Sequence, residues 1–78
     1  SFEVYPNPTV DFIIVRSTTG NINEVSLINM EGKTLMVREI ETSETQIDMS
    51  TYSPGRYILK IEENGSVIFK NLVKASNN

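Results

Sequence analysis

Arg56–Glu63 reads RYILKIEE and Ser66–Lys74 reads SVIFKNLVK, with Asn64-Gly65 between them. Asn-Gly between two runs rich in β-branched and aromatic residues is the strongest short-range hairpin signal a sequence can give. Side-chain parity supports strands on both sides of it. Tyr57, Leu59 and Ile61 fall on one face of the first run, while Arg56, Lys60 and Glu62 share the other with Ile58. In the second run Val67, Phe69 and Val73 compete with Ile68 and Leu72 for the inward face, and a bulge near Lys70-Asn71 would reconcile them.

Working outward, turn residues cut the rest of the chain at short intervals. Pro6-Asn7-Pro8 separates Phe2–Tyr5 from Val10–Arg16, because two prolines fix φ and withhold two amide donors. Ser17–Asn21 is a polar loop, followed by a strand over Glu24–Met30 and a turn at Glu31-Gly32-Lys33. Thr34–Glu41 and Thr45–Met49 are the next strands. Ser53-Pro54-Gly55 has the Pro-Gly order of a type II turn. Val10, Phe12 and Ile14 are in phase in the second strand, which makes Phe12 a predicted core residue beside Leu59, and Val25 and Leu27 are in phase in the third.

Composition agrees with the punctuation. Val and Ile number 16 against five for Leu and Ala together, and seven Thr raise the β-branched total to 23. Side chains forked at Cβ lose rotamer freedom against a helical turn and fit a pleated sheet. Seven strands at this spacing predict an all-β fold, a small Ig-like antiparallel β-sandwich. Seventy-eight residues form a single domain, 1–78, with 75–78 expected as a frayed tail.

The same composition excludes most site chemistry. The chain has no Cys, His or Trp. Thiol nucleophiles, thiolate metal sites and the commonest neutral-pH base are therefore absent. Glu62 and Glu63 are adjacent on a strand and point to opposite faces, so they cannot act as a paired acid and base. The alternating-acid calcium loop does not occur, and no glycine-rich phosphate loop precedes a helix. No catalytic, cofactor-binding or metal-ligating residue is expected. A net charge of −3 argues against nucleic acid. No apolar stretch is long enough for a membrane-spanning helix, so no membrane insertion is expected and any export signal lies outside the chain. Asn64-Gly65-Ser66 matches a glycosylation acceptor in form, but its place in a two-residue turn argues against use.

The order of several pieces carries more information than any one of them. Val4-Tyr5-Pro6-Asn7-Pro8-Thr9 opens the chain. Leu27–Leu35 (LINMEGKTL) and Ile47-Asp48-Met49-Ser50 follow, and Gly55–Ile61 (GRYILKI) and Lys70-Asn71-Leu72-Val73-Lys74 close it. In this order and spacing the chain resembles the type A C-terminal sorting domain of the type IX secretion system of the Bacteroidetes, from Val4 to Lys74. The resemblance implies a non-enzymatic address label at the C-terminus of a larger cargo protein. Its implied partners are the outer-membrane translocon and a sortase-like protease that removes the domain upstream of the sandwich. Its implied route runs through the periplasm to the cell surface or medium. Candidate recognition residues on this resemblance are Gly55, Tyr57, Lys70, Leu72, Val73 and Lys74.

Four of the candidates also have a structural reading. Gly55 supplies backbone freedom at a turn, and Tyr57 packs in the core with its hydroxyl on a backbone partner at the rim. Lys70 and Lys74, expected to be solvated, protect an edge strand from pairing with other chains. That edge also offers docking by strand addition. The alternative function is an ancillary β-sandwich of a secreted enzyme, binding carbohydrate or spacing domains. Against it, a sugar platform needs exposed aromatics, and most of the three Tyr and three Phe are in phase with core positions.

Overall fold

The computed structural model describes residues 1–76. Seven strands form two antiparallel sheets: β1 (Phe2–Tyr5), β2 (Phe12–Ser17), β3 (Ile22–Asn29), β4 (Thr34–Thr42), β5 (Glu44–Asp48), β6 (Gly55–Glu63) and β7 (Ser66–Lys74). One sheet has the order β1-β2-β5 and the other β4-β3-β6-β7. The seven strands predicted from the sequence are present, and three face four across the sandwich. Ile13 and Val15 of β2, Ile47 of β5 and Met49 beyond it meet Val25 and Leu27 of β3, Leu59 and Ile61 of β6 and Leu72 of β7 in one buried cluster. Five of these nine residues are β-branched, and Leu27, Leu59, Leu72 and Met49 fill the space between them.

The β6–β7 hairpin is the most regular element. Asn64 and Gly65 both take positive φ, 52° and 82°, as a type I′ turn requires. The pairing runs without interruption from Glu63↔Ser66 to Gly55↔Lys74, so the bulge expected near Lys70-Asn71 is absent. The competition in β7 is settled by exposure instead. Ile68 and Leu72 turn inward, whereas Val67, Phe69 and Val73 stand on the outer face. Register shifts lie in the β3–β4 pairing, between Ile22 and Glu24 and between Leu27 and Ile28.

Strand β2 has the opposite parity to the one expected. It starts at Phe12 rather than Val10, buries Ile13 and Val15, and leaves Phe12 41% exposed. Four successive apolar residues, Phe12-Ile13-Ile14-Val15, satisfy either phase. Arg16 decides between them, since it shares a face with Phe12 and Ile14 and reaches Glu3 on β1 at 3.2 Å, where both side chains are half exposed. An ion pair of this kind contributes little to stability but needs water. Ile13→Ala is therefore expected to cost about 2–5 kcal/mol and Phe12→Ala less than about 1 kcal/mol. Equal shifts of the two denaturation midpoints would contradict this register.

The sheets are tied at one end by a buried carboxylate. Ser17 at the end of β2 donates its hydroxyl to Glu63 at 2.7 Å, and the Thr19 hydroxyl donates to the same carboxylate at 3.3 Å. Gly20 lies directly over it: a Cβ on Gly20 would stand 2.7 Å from a carboxylate oxygen of Glu63. The absence of a side chain at position 20 is what lets a charged group close the gap between sheets.

Candidate functional site

The six candidate residues converge on the β6–β7 hairpin, but the structure gives them different roles. Gly55 is not the centre of a type II turn. It opens β6 with φ 148°, and the chain reverses earlier, where the Tyr52 amide donates to the Met49 carbonyl at 3.2 Å. Tyr57 is buried, and its hydroxyl donates to the Ser53 carbonyl at 2.6 Å, which is the tyrosine-corner bond of Ig-like sandwiches. Tyr52 packs against it at a ring-centroid distance of 6.0 Å. Leu72 is fully buried.

Lys74 departs furthest from expectation. It is only 5% exposed, and its ammonium donates to the Tyr52 carbonyl at 3.1 Å. Inward parity carries it over the tyrosine corner, where its four-carbon stem covers apolar surface and its head satisfies an otherwise unpaired carbonyl. Its charge faces the loop before β6 rather than open solvent. Lys70 is half-buried on the same face. Val73 stands on the outer face and remains exposed.

Sequence reasoning missed the part played by the Pro6–Thr9 loop. The Asn7 side chain accepts from the Val73 amide and donates to the Asn71 carbonyl, both at 3.0 Å. The Thr9 amide then donates to the Val73 carbonyl at 2.9 Å, and the Thr9 carbonyl accepts from the Ala75 amide at 2.7 Å. One amide side chain and one residue of backbone thus stand in for a neighbouring strand along the outer edge of β7, from Asn71 to Ala75. The hydroxyl of buried Thr9 donates to the Phe12 carbonyl, fixing the loop to β2. The expected tail begins at Ala75, held by this bond, and Asn77 and Asn78 lie outside the described residues. Asn between two prolines was the available signal, since both flanking residues lack amide donors and leave the side chain to make the contacts.

Beside this latch is a cleft of about 190 Å³ lined by Met30, Arg56, Tyr57, Asn71, Leu72 and Val73. Three candidate residues meet there with Met30 and Arg56, which the sequence did not single out. Among the described residues, no group of three or more acidic, His or Cys side chains is placed to hold a metal ion.

Residues 3–75 match the model of the secretion system C-terminal sorting domain family. The chain belongs to that family. The match spans the sandwich from β1 to the latch, so in this sorting domain the folded unit and the family unit coincide. An ulvan lyase of Nonlabens ulvanivorans is 30% identical over 73 residues, covering 90% of this chain and 13% of the lyase. The sorting domain therefore corresponds to a small part of that relative. The family consists of type IX sorting signals rather than catalysts, and membership implies export to the cell surface or the medium.

The aromatic residues are distributed differently from the sequence expectation. Tyr5, Phe12 and Phe69 are exposed, Phe2 and Tyr52 are half-buried, and only Tyr57 is buried. The exposed three do not form one platform, because Tyr5 and Phe12 belong to the three-stranded sheet and Phe69 to the four-stranded one.

Proposed function

We propose that this chain is the sorting signal of a larger exported protein, one read in its folded form. In this reading the cargo crosses to the periplasm, and the outer-membrane type IX translocon recognises the terminal hairpin. A sortase-like protease then cuts upstream of β1. The observation that carries the reading is the family match over residues 3–75, a span that includes both ends of the sandwich. Four of the six candidates, Gly55, Tyr57, Leu72 and Lys74, shape or brace the hairpin, while Lys70 and Val73 lie along its edge strand. A buried Lys74 supports recognition of hairpin shape over recognition of a free terminal charge.

Fusion of residues 1–78 to the C-terminus of a neutral periplasm-targeted reporter tests this. In a bacterium with a type IX system, the reporter is expected at the surface or in the medium. A fusion that is folded and stays in the periplasm would overturn the sorting reading. It would leave the chain as an ancillary module of a secreted enzyme.

A further inference from the structure

The outer edge of β7 is closed over only half its length. Alternation in the hairpin points the N–H and C=O groups of Val67, Phe69, Asn71 and Val73 away from β6. Asn7 and Thr9 take those of Val73 and the carbonyl of Asn71. Among the described residues, nothing takes the N–H and C=O of Val67 and Phe69 or the N–H of Asn71. The open half also carries exposed apolar side chains, with Val67 at 42% and Phe69 at 62% exposure. A long bare edge of this kind invites pairing, and proteins ordinarily cover or charge it.

Charge says what fits there. Along the open half the hairpin holds Lys60 and Lys70 against Glu62 and Glu63, in a chain of net charge −3. Glu63 is already engaged by Ser17 and Thr19. The one ion pair among the described residues is Arg16–Glu3, so Lys70 and Lys60 have no carboxylate partner. Acids gather on the far side instead, with Glu39 and Glu41 on β4 and Glu44 and Asp48 on β5.

Resting on the sorting reading above, we propose that the Val67–Asn71 edge of β7 receives an extended segment of the export machinery as an added strand. Strand periodicity sets its chemistry. Residues opposite Val67 and Phe69 lie on the outer face and are apolar, and the residue opposite Lys70 lies on the other face and is a carboxylate. Asn7 limits the docking register, because an incoming strand cannot pass Asn71.

Phe69→Pro in the reporter fusion is the test. Proline there removes an outward N–H and the exposed Phe69 ring and leaves the ladder to β6 complete, while its own ring blocks a strand from approaching. Export is expected to fall about tenfold or more, with the thermal unfolding midpoint showing that the domain is folded. Lys70→Glu places like charges together and is expected to reduce export as well. If the proline variant does not fold, the Lys70 variant decides alone. Phe12→Ser, exposed on the other sheet, is expected to export normally.

Failure of the unsubstituted fusion to export removes the sorting reading and this proposal together. Normal export of folded Phe69→Pro and of Lys70→Glu overturns the proposal alone. An equal loss with Phe12→Ser overturns it too, since exposed apolar area in general would then be the cause. A concentration-dependent dimer of the domain that Phe69→Pro abolishes would assign the edge to a second copy and also overturn it.

Discussion

Leu59→Ala is expected to lose about 2–5 kcal/mol, from burial no longer made and from the cavity left behind. Leu59 is fully buried at the middle of the four-stranded sheet, where it pairs with Leu27 on β3 and with Lys70 on β7. Neighbours on both sides are held by continuous ladders, so the site cannot collapse to fill the space. A domain this small has a total stability of roughly 5 kcal/mol, and the variant is expected to be largely unfolded at 37 °C. Leu59→Met, which keeps the volume, is expected to cost less than about 1.5 kcal/mol. Urea midpoints of the two variants measure the difference. Coincident midpoints would mean that the sheet centre does not need to be filled.

Gly20→Ala is expected to cost about 1–3 kcal/mol, a large effect for one methyl group on a loop. The added Cβ would stand 2.7 Å from Glu63, whose carboxylate is fixed by Ser17 and Thr19. To relieve the contact the carboxylate must leave one of those hydroxyls, and a buried carboxylate is then held by a single donor. The effect belongs to the pair, so a double-mutant cycle identifies it. In a Glu63→Ala background Gly20→Ala is expected to be nearly neutral. Additive losses would place the cost in the backbone of the loop instead.

The hairpin was legible because two local signals agreed: Asn64-Gly65 specifies the turn, and Tyr57, Leu59 and Ile61 alternate with polar residues. β2 was not legible by alternation, since four apolar residues in a row have no phase, and its parity is set by what Arg16 must avoid. β7 misled for a related reason. Val67, Phe69 and Val73 stay outside although they are apolar, and Lys74 goes inside although it is charged. No pattern of hydrophobicity reports that exchange, because Lys74 is accommodated by a carbonyl twenty-two residues away. The latch was out of reach in the same way. Pro6-Asn7-Pro8 announces a break in pairing, but Asn71 and Val73, which Asn7 holds, lie far along the chain. Convergence of the six candidates on one hairpin was readable, whereas the bracing roles of Tyr57 and Lys74 depend on which loop carbonyls stand above them.

The latch also bears on when the domain can be complete. Asn7 bonds to residues 64 and 66 positions further along the chain. A polypeptide still on the ribosome, or one broken off early, has the Pro-Asn-Pro loop but nothing for it to hold. Contacts of such long sequence separation form late, after the local hairpins. The finished sandwich thus certifies that synthesis has reached Val73. An exporter that engages only the closed form would pass over prematurely terminated products without inspecting the cargo at all.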